Sequence, residues 1–261
     1  MTGVLQDAVQ VRRDGAAATV ELSNPGRRNA LTASMLDELY RVLPELDDDP
    51  QVRVVVLTGR DGDFCSGADL SAVSEDRHPL GSMNRINRTA LAVYRMATPV
   101  VARVDGVAVG AGLNLALACD LVVASDRARF SEVFVRRGLA VDFGGSWILP
   151  RLIGLHRAKE LCLLGDIVPA DRAAAMGLVN RVVPSAELDT EVGTIVDRLA
   201  AGPAVAMALT KRLLAEGGGR DLPSALDAEA AAQAITLRGA DAEEAFTAFR
   251  GKRDASFTEQ L

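Results

Sequence analysis

Short apolar runs alternate with amphipathic segments along the first 184 residues, and this order predicts an α/β fold. Residues 9–13 and 18–23 flank Asp14-Gly15, a turn-forming pair, and predict an opening hairpin. Compact apolar runs predict buried strands at 53–59, 99–104, 121–125 and 178–183. Apolar residues at helical spacing predict helices at 31–46, 82–96, 113–118, 146–155, 158–164 and 170–176.

The segments between these elements carry weaker patterns. Residues 106–112 are rich in small residues and are predicted to form a turn. Residues 130–144 are expected to be extended or irregular, and the polar stretch 71–81 is expected to be a mobile loop. Thr32 and Asn29 are alternative N-caps for the helix at 31–46.

The pattern changes near Glu187, after which almost every residue has helical spacing. Breaks occur at Gly202-Pro203, Gly217–Gly219 and Gly239, and the glycine tract is predicted to be a hinge between helices. We therefore predict a core over residues 1–200 and a helical C-terminal region over residues 201–261.

Composition excludes several functional classes. The 261 residues are 49% hydrophobic and 25% charged, enough for a large buried core. A net charge of −6 argues against a nucleic-acid partner. Three cysteines and two histidines, without metal-site spacing, predict no metal and three buried, reduced thiols. No secretory signal or membrane-length apolar run is recognisable, so a cytoplasmic location away from membranes is expected.

Two turns made of small residues follow predicted strands, at Gly110-Ala111-Gly112 and at residues 64–70. The first resembles a dinucleotide-binding turn, but that motif needs Gly or Ala where this chain has Leu115. Small residues also let two backbone N–H groups approach one ligand oxygen and form an oxyanion hole. The alternative is that both segments are tight turns without function. Asp69 is expected to brace its own turn instead of taking part in chemistry.

Four motifs together resemble the crotonase superfamily of enoyl-CoA hydratases and isomerases: NPGRRNAL (24–31), FCSGADL (64–70), GVAVGAGLNLALACDLVVAS (106–125) and GGSWILPRLIG (144–154). The similarity continues through residues 163–183 and 248–257. It implies a crotonase-like spiral of ββα units with a C-terminal helical region that trimerises. It also implies a homotrimer, or a hexamer built as a dimer of trimers, acting on an acyl-CoA thioester without any cofactor besides that CoA.

The resemblance assigns roles to individual residues. The N–H groups of Ala68 and Gly112 are expected to hold the thioester oxygen, which becomes negative when C2 loses a proton. The residues expected along the path of the CoA moiety are Arg27, Arg28, Ala30 and Ser66. Lys252, contributed by a neighbouring subunit, is expected to meet the CoA phosphates; a solvated lysine is the alternative.

Proton transfer is where the chain departs from the superfamily pattern. Hydratases of the superfamily use two glutamates, and the matching positions here are Asn114 and Phe134. Neither side chain can take up a proton at neutral pH, so the usual two-carboxylate addition of water is disfavoured. Both residues remain expected to line the substrate site. Glu132, two residues before Phe134 and on the same face of an extended chain, is a rival acid.

Asp142 lies eight residues after Phe134, before a predicted helix. The local sequence is similar to the ring-epoxide isomerase of phenylacetate degradation and to related enoyl-CoA isomerases, in which an aspartate moves a proton between C2 and C4. In a related dehalogenase the matching aspartate is a nucleophile. The apolar neighbours Val141 and Phe143 are expected to raise the pKa of Asp142. The alternative is a helix or turn cap.

The sequence therefore predicts an enoyl-CoA isomerase with a single aspartate as acid and base. A hydratase is the first alternative, and an acyl-CoA-binding paralogue with little catalysis is the second. Of the other polar and aromatic residues, His78 is expected to be a solvated loop residue and His156 a helix-end residue. Trp147 is expected to pack in the core.

Overall fold

Parallel strands dominate the structure, a computed structural model that describes residues 8–72 and 78–261. The strands are β1 (Ala8–Asp14), β2 (Ala17–Ser23), β3 (Val54–Gly59), β4 (Val100–Val104), β5 (Val107–Val109), β6 (Leu121–Ser125), β7 (Arg129–Ser131), β8 (Val168–Pro169) and β9 (Arg181–Val183). The larger sheet has the order β1-β2-β3-β4-β6-β9, in which only the β1–β2 hairpin is antiparallel. Strands β5, β7 and β8 form a smaller sheet.

Helices cover the sheet and make up the C-terminal part of the chain. The helices are α1 (Ala33–Asp47), α2 (Pro79–Tyr94), α3 (Ala111–Leu117), α4 (Gly145–Ile153), α5 (Leu155–Leu164), α6 (Ala170–Met176), α7 (Leu188–Ala200), α8 (Ala204–Gly217), α9 (Leu222–Thr236) and α10 (Ala240–Gly251). Short 3₁₀ turns lie at Leu70–Ala72, Val133–Arg137 and Ser185–Glu187. Within the described residues, this order confirms the predicted α/β architecture followed by helices.

Consecutive valines in β3 are explained by burial on both faces of the sheet. Val54 and Val56 belong to the apolar cluster formed with α7, whereas Val55 and Leu57 belong to the main core. Alternate side chains of a strand point to opposite faces, so a strand covered on both sides is apolar throughout.

The structure corrects three predicted boundaries. Residues 106–112 are more than a turn, because Val107–Val109 pairs with β7.

Helix α2 begins at Pro79 instead of residue 82, because proline suits the first helical position and the His78 ring accepts the Leu80 N–H. His78 therefore caps a helix. The rest of the predicted 71–81 loop falls partly on residues 73–77, outside the described residues. The predicted strand at 178–183 is limited to its last three residues.

The thiols are free, as predicted, but not equally buried. Cys65 and Cys119 are buried, whereas Cys162 is half-buried. Burial raises the pKa of Cys65 to about 12, so this thiol stays protonated and unreactive at neutral pH. Among the helices of residues 8–72 and 78–261, none alone is long and apolar enough to span a membrane; one bent pair, Ser185–Ala200 with Ala204–Gly217, passes by length and composition.

Candidate active site

The two turns made of small residues lie against each other. Cys65 pairs with Ala108 in a parallel bridge, and the Val109 N–H donates to the Cys65 carbonyl at 3.0 Å. A Cβ on Gly112 would overlap the Cys65 carbonyl oxygen and lie 2.8 Å from its Sγ. Glycine at 112 is therefore required by the close approach of the two turns.

Two backbone N–H groups, those of Ala68 and Gly112, lie in these turns. On either side of Ala68, the Gly67 carbonyl and the Asp69 N–H both pair with Leu31, so the Ala68 N–H points away from that partner. Gly112 lies in the first turn of α3, before the first helical hydrogen bond, from Asn114 N–H to the Gly110 carbonyl. Neither N–H donates to a residue within the described ranges.

Asp69 braces its turn, as the sequence predicts. Its Oδ1 accepts the N–H of Ser71 at 2.9 Å and the Ser71 hydroxyl at 2.6 Å. These hydrogen bonds hold the pKa of Asp69 below its ordinary value, with the Ser71 hydroxyl as the largest cause. Asp69 is therefore a structural carboxylate of this turn.

The loop at residues 27–30 packs on the same turn. The Ser66 hydroxyl donates to the Arg27 carbonyl at 2.8 Å, and the Ser66 N–H donates to the Arg28 carbonyl at 2.9 Å. Ala30 is buried beside them. The structure thus brings together the four residues predicted along the CoA path. Lys252 is exposed at the end of α10, and no hydrogen bond or ion pair between described residues joins it to this loop.

Asn114 connects the turn of Gly112 to two carboxyl-bearing residues. Its buried amide Nδ2 donates to the Asp142 carbonyl at 3.0 Å and to Glu132 Oε2 at 3.4 Å. A Cβ on Gly145 would lie 2.5 Å from that Nδ2, so the start of α4 leaves room for the amide only because residue 145 is glycine. Asn114 is therefore clamped between β7 and α4.

The Asp142 side chain is not a helix cap. Helix α4 is capped by Gly144 without a side-chain hydrogen bond, and only the Asp142 carbonyl accepts the Gly145 N–H. The cap alternative is therefore wrong. Phe143 and Gly144 both have left-handed backbone, with φ of 52° and 84°. An aromatic residue seldom adopts this conformation, so buried Phe143 anchors an unusual turn that directs Asp142.

Both acids near Asn114 have strongly perturbed titration. Burial raises the pKa of Asp142 from 3.8 to about 6. Burial also raises the pKa of Glu132 to about 8, and the negative charge of Asp142 adds to this effect. Near pH 7 the structure therefore holds a deprotonated Asp142 beside a protonated Glu132.

Three buried oxygens around Asn114 have no hydrogen-bond partner among the described residues: Asn114 Oδ1, Glu132 Oε1 and Asp142 Oδ1. Buried polar atoms are normally satisfied, so a cluster of orphans indicates a place for a polar ligand or a transferable proton. The chain around Glu132 is not extended as the sequence predicts. Residues Val133–Arg137 instead form a 3₁₀ turn, and Glu132 points into the interior.

An apolar cavity of about 280 Å³ adjoins the Asp142 turn. Its lining residues are Ala90, Leu91, Tyr94, Ala118, Phe143, Gly144, Trp147 and Ile148. Ala118 lies one helical turn beyond Asn114 on the same side of α3, so the cavity extends away from the two acids. Phe134 does not line this cavity. It is buried beside Gly110 at the start of α3, with its ring 3.5 Å from the position of a Cβ on that glycine.

The prediction that Trp147 packs in the core is wrong. The residue is 40% exposed, and its ring meets Tyr94 edge to face with centroids 5.5 Å apart. The Arg151 guanidinium covers the other side of the indole at 3.7 Å. Trp147 and Arg151 lie at positions i and i+4 and therefore share one face of α4. Because Arg151 is charged, this face lies at the rim of the cavity and not in the core.

Sequence and fold identify the family. A family model described as Enoyl-CoA hydratase/isomerase matches residues 12–260. The chain belongs to the enoyl-CoA hydratase/isomerase family. Its fold is that of the crotonase superfamily, as the motifs predict.

Relatives within this family carry different activity names. A probable enoyl-CoA hydratase of Rhodobacter capsulatus is 38% identical, covering 92% of this chain and 94% of the relative. The 1,2-epoxyphenylacetyl-CoA isomerase of Escherichia coli K12 is 33% identical, also covering 92% and 94%. A crystal structure of a putative enoyl-CoA hydratase from Streptomyces coelicolor has a TM-score of 0.92 and 34% identity, covering 99% of this chain and 97% of that one.

The two buried acids should make this enoyl-CoA hydratase/isomerase family member less stable at pH 8 than at pH 4.5. Because the folded-state pKa of Glu132 lies above its unfolded-state value, the folded chain keeps a proton that the unfolded chain releases. Stability attributable to this group therefore falls as pH rises from about 4.5 to 8. We expect E132Q to raise the unfolding free energy at pH 8 by on the order of a few kcal/mol and to change it little at pH 4.5.

Urea denaturation at both pH values measures this effect. Gln keeps an oxygen for the Asn114 amide, so the variant changes the charge and little else. The same substitution at exposed Glu45, E45Q, is the control and should leave the pH dependence unchanged. An E132Q protein that loses stability equally at both pH values would show that ionisation of Glu132 does not destabilise the fold.

Proposed function

We propose that this enzyme isomerises the double bond of an enoyl-CoA thioester. In this proposal the N–H groups of Ala68 and Gly112 hold the thioester oxygen. Asp142 removes a proton from C2 and then donates a proton to C4. The observation that carries the proposal is the half-buried Asp142 carboxyl, which has an orphaned Oδ1 and a pKa raised to about 6. No metal or cofactor besides the CoA of the substrate is required.

Stabilisation of the enolate follows from the two unused N–H groups. Loss of the C2 proton moves negative charge to the thioester oxygen, and donors aimed at that oxygen stabilise the transition state more than the ground state. Each such donor contributes about 3 kcal/mol in other acyl-transfer enzymes. The bridge between Cys65 and Ala108 supports this role, because it fixes the two donor-bearing turns relative to each other.

Asp142 is suited to accept a carbon proton near neutral pH. A pKa of about 6 leaves the group mostly deprotonated at pH 7, yet more basic than an exposed aspartate. The strained Phe143-Gly144 turn and the Asn114 hydrogen bond to the Asp142 carbonyl hold the backbone of Asp142 in one place. A fixed base of matched pKa is what proton abstraction next to a carbonyl needs.

A hydratase is the second candidate, favoured by the presence of a second buried acid. Hydration needs one group to activate water and another to protonate carbon, and Asp142 with Glu132 supplies two carboxyls. Several relatives are also named as hydratases. An acyl-CoA-binding paralogue without turnover is disfavoured, because an unpaired buried acid costs stability without benefit to binding alone.

We further propose that CoA follows the loop formed by Arg27, Arg28, Ala30 and Ser66, and that Asn114 and Phe134 line the acyl site. Lys252 of a neighbouring subunit would then meet the CoA phosphates in a homotrimer or hexamer. Exposed apolar side chains on the last two helices support such an assembly: Leu222, Leu226, Ile235, Phe246 and Phe249.

The apolar cavity predicts the form of the acyl group. An acyl chain with C2 at Asp142 would place its distal carbons in the cavity of about 280 Å³. We expect Ala90→Leu, which fills this space, to lower kcat/KM for eight-carbon enoyl-CoA roughly 10- to 100-fold. Four-carbon substrate should react as with wild type. Steady-state kinetics with both chain lengths measures the change, and equal losses would place the chain elsewhere.

Incubation with separate 3-enoyl- and 2-enoyl-CoA substrates, followed by NMR, tests the reaction class. The proposal predicts conversion of the 3-enoyl to the 2-enoyl thioester, with slow formation of the 3-hydroxy product. Rapid hydration without isomerisation would favour the hydratase. Tight binding with neither product would favour the paralogue.

A further inference from the structure

Glu132 is a buried acid that isomerisation by Asp142 alone does not use. It follows β7 directly and is wholly buried. Its Oε2 is held by the Asn114 amide, whereas its Oε1 has no partner within residues 8–72 and 78–261. A protonated carboxyl has a hydrogen to donate, and an orphaned oxygen is the atom that would carry it.

Within the residues that the structure describes, no positive charge compensates Glu132. The titratable groups that interact with it are Asp142 and the half-buried Cys162 thiol of α5, whose pKa is raised to about 11 by burial and by Glu132. Arg136, four residues along, turns outward and pairs with Asp166. Among the described residues, no Lys or Arg forms an ion pair with Glu132. Glu132 therefore avoids an unpaired buried charge by keeping its proton.

Glu132 and Asp142 approach Asn114 from different elements. Glu132 comes from the end of β7, and Asp142 comes from the turn before α4. Asn114 itself lies two residues after Gly112, whose N–H belongs to the proposed oxyanion hole. The Glu132 carboxyl and the Asp142 backbone therefore meet at one amide, and the Asp142 carboxyl is near enough for its charge to raise the pKa of Glu132.

The charges of the two acids are coupled. When Asp142 takes a proton from carbon, its negative charge disappears, and with it the repulsion that favours protonated Glu132. Proton uptake by Asp142 thus promotes proton release by Glu132. The pair carries one negative charge before and after this exchange, which avoids creating a second charge in a buried site.

We propose that Glu132 is a second proton carrier, which delivers to C4 a proton different from the one that Asp142 removes from C2. This inference rests on the proposed isomerase function and assigns the C4 step of that reaction to Glu132 instead of Asp142. Asp142 forms the new O–H bond as C2–H breaks, and the electron pair moves to the thioester oxygen. The dienolate electrons then take the Glu132 proton at C4, leaving a C2–C3 double bond. Exchange with solvent returns the proton from Asp142 to Glu132, and the cycle balances.

Deuterium placed at C2 of a 3-enoyl-CoA distinguishes one carrier from two. A single Asp142 carrier moves deuterium from C2 to C4, whereas two carriers leave protium from water at C4. In ordinary water we therefore expect wild type to give product with little deuterium at C4. E132Q cannot donate a proton from residue 132, so the deuterium fraction at C4 should rise several-fold while kcat falls roughly 10- to 100-fold.

Cys162→Ala is the matched control, because it alters the packing beside Glu132 without removing a proposed proton carrier. Its deuterium transfer should equal that of wild type. A purely structural effect of E132Q would lower kcat without changing the isotope distribution, and that result overturns the proposal.

Wild-type measurements keep the test valid if E132Q does not fold. A wild-type enzyme that transfers most deuterium to C4 overturns the role of Glu132 and leaves isomerisation by Asp142 standing. A wild-type enzyme without isomerase activity overturns both. A wild-type enzyme that isomerises the substrate and moves deuterium from C2 to C4 would therefore contradict the role of Glu132 alone.

Discussion

Asp142→Asn is expected to lower kcat for enoyl-CoA isomerisation by roughly 10²- to 10⁴-fold. Asparagine has nearly the shape of aspartate, so the buried turn with Phe143 should remain, but the amide cannot accept the C2 proton. The folded protein should be as stable as wild type or more stable, because a buried and unpaired carboxylate is removed. Loss of activity with retained stability separates chemistry from folding.

Asp14→Asn is the matched control, since Asp14 is exposed in the β1–β2 turn and Asn suits that turn equally well. Its kcat should equal that of wild type. The wild-type rate should also rise with pH through about 6 as Asp142 loses its proton, and the residual D142N rate should lack this step. A D142N enzyme with full isomerase activity would contradict the assignment.

Gly112→Ala is expected to cost about 10²- to 10³-fold in kcat, comparable to loss of one oxyanion donor. The new Cβ would overlap the carbonyl oxygen of Cys65, a backbone atom in the core that cannot turn aside as a flexible side chain could. The two turns must separate, which moves the Gly112 N–H relative to that of Ala68. We also expect a loss of stability, because overpacking of a core typically costs about 1–3 kcal/mol.

Gly193→Ala provides the comparison, because a Cβ at Gly193 on α7 meets nothing within 4 Å. This substitution should stabilise the helix by roughly 0.5–1 kcal/mol and leave kcat unchanged. A second measurement uses the wild-type protein: an S-alkyl-CoA without the carbonyl oxygen should bind more weakly than the matching acyl-CoA. Equal affinity, together with an active G112A enzyme, would contradict the oxyanion hole.

Much of the fold could be predicted from local patterns. The β1–β2 hairpin follows from Asp14-Gly15, and the apolar run of β3 follows from burial on both faces. Strand β5 was missed because its three residues lie in a glycine-rich segment and become a strand only by pairing with β7. Trp147 was misplaced because its exposure depends on Arg151 and Tyr94, which the hydrophobicity of tryptophan does not reveal.

The sequence indicated some residues of the candidate site clearly and Glu132 only weakly, for a similar physical reason. Motif resemblance indicated Ala68, Gly112 and Asp142, because each lies in a recognisable local sequence. The importance of Glu132 depends on a hydrogen bond to Asn114, 18 residues away, and on burial by several elements. Such long-range contacts leave no local pattern. A glutamate set among the apolar residues Phe130, Val133 and Phe134 was the available indication.

The most direct test of the central claim is a crystal structure with a bound enoyl-CoA or an unreactive analogue. We predict the thioester oxygen within about 3 Å of the N–H nitrogens of both Ala68 and Gly112. The Asp142 carboxylate should lie within about 3.5 Å of C2 or C4. A thioester oxygen bound elsewhere, or an Asp142 carboxylate directed away from the acyl chain, would contradict the account.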